Sequence, residues 1–228
     1  MTGATAATRR LVHGHVELAL HRLRGESGPR LLLLHELGGR APTEVPAAVA
    51  GWDGAIFALD FTGHGASSVP AGGGYTAELL MADADVALAE LGEATVVGWG
   101  LGAYVALLLA GGRPRAVRGA VLCDGRGLAG GGERGAPPDP GFVAASQAPP
   151  DPYALHELGR DARPVGYAAL YARQAQLLSE VPDQITVAAM ERPPWLSEIL
   201  RASGVVEGDV GETLVRYQAF VPSPCTGS

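Results

Sequence analysis

The chain contains no lysine, so all 17 of its basic side chains are arginine. That absence excludes Schiff-base and pyridoxal chemistry, together with phosphate loops built around a lysine. Cysteine is nearly as scarce. Cys123 and Cys225 stand far apart in different contexts, which leaves neither a metal-ligand spacing nor a disulfide framework. Cys123 reads as a small buried apolar residue. The stretch "HELGG" at 35–39 lacks the second histidine of a zinc helix, and neither a metal nor a cofactor is expected. Nowhere is there a run of about 18 apolar residues, the length needed to cross a bilayer. The first ten residues also lack the apolar core of a signal peptide. The expectation is a soluble cytoplasmic protein without a membrane partner. The formal charge is −7 and there is no basic stripe, so nucleic acid is not an expected partner either.

What the chain does have is Ala, Val, Leu and glycine. Its 228 residues are 47% hydrophobic with 33 glycines, enough for one domain over 1–228 with a sizeable core. Strand-like and helix-like segments alternate, the pattern of an α/β layer structure with a mostly parallel sheet. Strands are expected at 9–14, 16–23, 29–36, 54–61, 94–99, 117–124 and 183–189. The continuous apolar runs "PRLLLLHE" and "GAIFALDF" suit strands buried on both faces. Residues 76–91 form an amphipathic helix with Thr76 as N-cap, Leu80, Ala84, Leu88 and Leu91 inward, and Asp83, Asp85 and Glu90 largely off that face. Residues 101–111 form a helix apolar on every side, which belongs in the centre of the molecule. Seven glycines and six prolines within 125–152 mark a long loop or the start of a lid. Helices are expected at 152–160, 164–179, 194–203 and 208–219.

Three motifs fall in order at the ends of consecutive strands: His35, "DFTGHGAS" at 60–67, and the corner Gly98-Trp99-Gly100-Leu101-Gly102. This arrangement resembles the α/β-hydrolase superfamily over residues 10–125. There the first strand ends in a His-Gly oxyanion loop, the second in a D-x-x-G-H-G-x-S turn, and a G-x-S-x-G elbow carries the nucleophile. The resemblance implies an α/β-hydrolase-like fold, a mostly parallel sheet flanked by helices. A lid-like insertion at roughly 125–182 and a shortened C-terminal edge complete the expected architecture.

The departures from that family concern its chemistry. Gly100 stands at the nucleophile position and has no side chain. No histidine lies beyond His156, where the family carries its triad base, and "ITVAAMERPPW" has no acid turn. The elbow with Ala103 and Tyr104 also resembles the turn of the N-myc downstream-regulated family, a branch regarded as non-enzymatic. Elbows hold their central residue at φ > 0, a strain of about 1–3 kcal/mol for a side chain and none for glycine.

Three functions remain open on the sequence. The first is a pseudo-hydrolase with no catalytic residues and a pocket above Gly100, binding a small apolar molecule or a protein partner. His35, Glu36, Leu37, Trp99, Gly100, Leu101 and Asp124 would line that pocket, with the Leu37 and Leu101 amides at the positions matching the family's oxyanion donors. The second is a hydrolase or lyase of nonstandard mechanism using His35, Glu36 or Asp124. The third is dinucleotide binding, since "GWGLGA" matches G-x-G-x-x-[G/A] and Asp124 ends the next strand. His35, His64 and Asp60 also have structural readings, as residues that pin or cap their own turns.

Overall fold

The run Leu31-Leu32-Leu33-Leu34 shows how the sheet sorts its side chains. Successive residues of a strand point to opposite faces. Leu31 and Leu33 accordingly join one apolar cluster, and Leu32 and Leu34 the other. The computed structural model describes residues 7–131 and 148–220. Cys225 and the middle of the glycine- and proline-rich stretch, 132–147, lie outside them.

A hairpin opens the chain, β1 (Ala7–His13) with β2 (Val16–Arg24). It is followed by β3 (Arg30–Leu34), β4 (Ala55–Asp60), α1 (Ala77–Leu91), β5 (Ala94–Trp99), α2 (Leu101–Gly112) and β6 (Val117–Cys123). The remaining elements are α3 (Pro152–Arg160), α4 (Val165–Leu178), β7 (Ile185–Val187), α5 (Pro194–Ile199), β8 (Val205–Glu207) and α6 (Val210–Ala219). The strands form one eight-stranded sheet in the order β1-β2-β4-β3-β5-β6-β7-β8. β2 is antiparallel to β1 and β4, and every pair from β4 to β8 is parallel.

The structure amends the sequence reading in several places. β8 was not expected: three residues between Gly204 and Gly208 carry too little pattern to signal a strand, and it exists because Val205–Glu207 pair with β7. The C-terminal edge is therefore short, two strands of three residues each. β7 covers three of the seven residues expected for it, and the helix expected at 194–203 ends at Ile199. Thr76 caps α1 by accepting the Leu79 N–H at 3.2 Å. Asp83, expected off the inward face of α1, is fully buried. Its carboxylate accepts the Thr62 N–H at 2.8 Å and pairs with His13 Nδ1 at 2.7 Å, and these partners make its burial tolerable.

α2 is buried along almost its whole length, as its apolar surface requires. α4 packs against it through Ala168, Ala172 and Ala175, all fully buried. A β-carbon on Gly111 would lie 2.5 Å from the Tyr171 carbonyl oxygen, so glycine lets the two helices approach. The expected insertion thus has two parts. α4 belongs to the helical layer, while α3 sits over the strand ends, where Leu155 meets Gly38 and Asp151 accepts the Tyr75 hydroxyl at 2.6 Å. Among the described residues no helix is long and apolar enough to cross a membrane.

Candidate functional site

The corner between β5 and α2 has the geometry of an elbow. Gly100 sits at its apex with φ 56° and ψ −114°, a conformation open to glycine and strained for other residues. Its flanks are equally tight. A β-carbon on Gly98 would lie 2.1 Å from the Gly102 carbonyl oxygen, and one on Gly102 would lie 2.4 Å from the Leu34 carbonyl oxygen. The three glycines let the strand turn into the helix while β3 passes alongside.

The volume above Gly100, where the sequence reading places a pocket, is filled. A β-carbon there would lie 2.2 Å from the carbonyl oxygen of Arg126. That oxygen accepts two backbone hydrogen bonds, from Leu37 N–H at 3.1 Å and Leu101 N–H at 3.0 Å. These are the two amides that the sequence resemblance sets at oxyanion-donor positions. Such a pair is aimed at developing negative charge in an enzyme. Here the chain's own backbone meets it.

Glu36 holds the plugging segment in place. One carboxylate oxygen accepts the Arg126 N–H at 2.8 Å, and the other accepts the Arg126 Nε–H at 2.9 Å. Partial burial pushes the Glu36 carboxyl up, but the hydrogen bonds and charge of Arg126 outweigh it and hold the group below its ordinary value. On the flanks of Arg126, Gly125 and Gly127 let the chain pass closely. A β-carbon on Gly125 would lie 2.8 Å from the Gly100 nitrogen, and one on Gly127 would lie 2.8 Å from Leu37 Cβ.

The imidazoles nearby are occupied by backbone. His35 donates from Nδ1 to the Glu36 carbonyl at 2.8 Å and accepts the Phe61 N–H at Nε2, 3.2 Å. His64 donates from Nδ1 to the Thr62 carbonyl at 3.0 Å and accepts the Gly38 N–H at Nε2, 3.3 Å. The two rings lie 5.0 Å apart. Burial, and then the neighbouring His64, push the His35 pKa down to about 4; burial lowers that of His64 as well. Both rings are neutral at pH 7, and each is a strut between two loops.

The other polar candidates point elsewhere. Asp124 accepts the N–H groups of Met190 and Glu191 at 2.6 and 2.9 Å, bracing the turn after β7. Asp60 accepts Ala41 N–H at 2.6 Å and Ala66 N–H at 2.7 Å, and meets His21 Nε2 at 2.9 Å. Cys123 is buried, which raises its thiol to about 12 and keeps it protonated. His156 lies on α3 beside Arg160, 3.0 Å away. Among the described residues no group of three or more His, Cys, Asp or Glu side chains is placed to hold a metal ion.

The structure therefore brings Leu37, Gly100 and Leu101 together around the Arg126 carbonyl. His35 and Glu36 stand behind that contact. Asp124 is turned to the loop after β7, and Trp99 lines a separate groove with His35 and Glu36. Arg126 was not singled out by the sequence, because its part is played by a backbone carbonyl. The signal it left is the pair of glycines in "GRG" at 125–127.

Similar folds occur among solved structures. The thioesterase domain from the curacin biosynthetic pathway superposes with a TM-score of 0.64 at 16% identity, covering 95% of this chain and 99% of that one. The enol-lactonase from Burkholderia xenovorans LB400 also gives 0.64, at 18% identity over 92% of this chain and 99% of the other. The N-formylmaleamic acid deformylase from Pseudomonas putida S16 gives 0.60 at 12% identity, over 89% and 91%. At these identities the likeness is one of fold. No curated protein matches the chain. The model of the alpha/beta hydrolase family matches residues 11–223, and with the sheet order and the elbow this places the chain in the alpha/beta hydrolase family.

Proposed function

We propose that this chain is a non-hydrolytic member of its family, a pseudo-hydrolase whose role is to bind a small apolar molecule or a protein partner. The observation that carries the reading is the Arg126 carbonyl, bonded to both Leu37 N–H and Leu101 N–H in the space a side chain on residue 100 would need. An acyl-transfer enzyme of this type needs a nucleophile, a base and an oxyanion hole. Gly100 supplies no nucleophile, the nearby imidazoles are tied to backbone groups, and the oxyanion donors are already used. The local likeness of the elbow to that of the N-myc downstream-regulated family agrees with this reading.

The two rival readings have less to stand on. His35 and Glu36 share the Trp99 groove, but both ring nitrogens of His35 are bonded to backbone and both oxygens of Glu36 to Arg126, and Asp124 does not line that groove. A pyrophosphate at the α2 N-terminus would have to displace the Arg126 carbonyl, and both oxygens of Asp124 already accept an amide from the turn after β7.

The test uses the full chain with a fluorophosphonate probe, p-nitrophenyl acetate, a thioester and an enol-lactone. The last two are the substrate classes named for the thioesterase and the enol-lactonase. No labelling and background hydrolysis are expected. Stoichiometric labelling of any serine, or saturable turnover of any of the three substrates, overturns the reading.

A further inference from the structure

The β3–β5 boundary is the place where the chain changes direction in the sheet. From β3 it moves one way to β4, then returns past β3 to β5 on the other side. Crevices at the carboxyl ends of such strands are where ligands bind in open α/β sheets. On the elbow side of this boundary the crevice is closed by the Arg126 carbonyl. Beside it, a groove of about 330 Å³ remains open. None of Gly100, Leu37, Leu101 and Arg126 lines it. Its walls are the ends of β3 and β5 and the 39–48 loop, with Trp99, Pro42, Pro46 and Ala48 among the apolar surfaces.

Two charged residues line the groove, and they differ in one respect. Each oxygen of the Glu36 carboxylate is engaged by Arg126, one by its amide and one by its guanidinium. Among the described residues the Arg40 guanidinium has no hydrogen-bond or ion-pair partner, and it is exposed at the groove. The Trp99 indole, half-buried, likewise has no partner for its N–H, whereas Trp52 and Trp195 donate theirs to Pro29 and Leu128 carbonyls. An apolar slot at the small end of the ligand-site range, with one unpaired cation, fits a compact hydrocarbon body carrying one negative charge. A dianion would set its second charge near Glu36, which favours a carboxylate over a phosphate monoester.

We propose that this groove binds a small aryl or alkyl monocarboxylate, its hydrocarbon body against Trp99 and the prolines and its acid group on Arg40. The proposal rests on the reading of the chain as a binding protein and gives that reading a place and a ligand class.

The experiment is a titration of the ¹⁵N-labelled full chain with 3-phenylpropionate, following the three indole N–H signals. A Trp99→Phe variant assigns the Trp99 signal by its loss. A saturable shift at Trp99, with Trp52 and Trp195 still, is the expected result. The neutral analogue 3-phenylpropan-1-ol and the dianion phenyl phosphate should each bind about fivefold more weakly than the acid, the scale of one exposed ion pair. Arg40→Gln should erase the difference between acid and alcohol. Ala48→Phe should close the groove and weaken the acid about tenfold or more, by loss of the apolar contact.

No saturable shift at Trp99, equal affinity for acid and alcohol, tighter binding of the dianion, or unchanged binding in Ala48→Phe would each overturn the proposal. Arg40→Gln lies on the surface, so it tests the charge even if Ala48→Phe fails to fold. A silent titration together with absent probe labelling removes the ligand and leaves the non-hydrolytic reading standing. Labelling or turnover removes that reading whatever the titration shows.

Discussion

The two sides of the β3–β5 boundary share the loop that follows β3 and end up opposite in character. On the elbow side, Leu37 N–H and Leu101 N–H converge on the Arg126 carbonyl and no room is left. On the other side, Trp99 and the proline-rich turn leave an open apolar groove with an unpaired Arg40. Two arginines therefore flank Glu36 in contrasting ways. Arg126 acts mostly through its backbone, while Arg40 offers only its side chain. The lesson is that main chain alone can fill the space beside an elbow while a neighbouring groove stays open.

Several changes would break or sharpen that contrast. The largest effect is expected from Gly100→Ser. A side chain at φ 56° costs about 1–3 kcal/mol in backbone strain, and its β-carbon must also displace the Arg126 carbonyl. A total loss of about 3 kcal/mol or more, read by urea unfolding, is expected, with no gain in esterase turnover because the imidazoles near residue 100, His35 and His64, are bonded to backbone groups. A variant as stable as the parent would show that the plug yields easily.

Next comes pH. His35 and His64 have folded-state pKa values below their ordinary 6.5, with His35 at about 4, so the unfolded chain binds more protons in that interval. Stability then rises with pH there. The contribution is complete above about 6.5 and drains away as pH falls toward 4, because protonation would charge two rings that serve as neutral struts. Melting temperature should drop across this window. A flat profile from pH 7 to 4.5 would contradict the assignment of both rings as buried neutral acceptors.

Glu36→Gln should have a smaller effect, about 1 kcal/mol, because the carboxylate's charge-assisted bonds to Arg126 become neutral ones. Its sharper readout is amide hydrogen exchange at Leu37 and Leu101, which should speed up if Glu36 holds the plug. Unchanged protection would show that the two amides suffice by themselves. Arg126→Ala retains both the amide and the carbonyl of that residue and loses one exposed pair, so the cost should stay below about 1 kcal/mol. The smallest effect is expected from Arg40→Gln, within about 0.5 kcal/mol of the parent, since the guanidinium supports nothing in the fold. A clear destabilisation would mean that Arg40 is structural, and the groove would lose its cation for a ligand.

Much of the architecture was legible in advance because it follows from side-chain pattern. Continuous apolar runs such as "PRLLLLHE" and "GAIFALDF" are of the kind found in strands covered on both faces. The all-apolar segment 101–111 had to be an interior helix, and Thr76 stood where an N-cap belongs. The order of His35, the Gly63-His64-Gly65 turn and the Gly98–Gly102 corner pointed to the family. β8 was not legible, since three residues hold less than two periods of alternation. Asp83 was misplaced because helical periodicity does not anticipate a buried carboxylate with two partners waiting across the fold.

By itself, then, the sequence determined the fold class, the elbow and the lack of a side chain at Gly100, all written in residue identity and spacing. Only the tertiary structure decided whether the space above Gly100 stays open. That outcome depends on a backbone carbonyl arriving from the far end of β6, and main-chain groups are the same at every position, so no side-chain pattern announces them. It also depends on Glu36 meeting a residue 90 positions away, a pairing settled by strand order rather than by anything local to either residue.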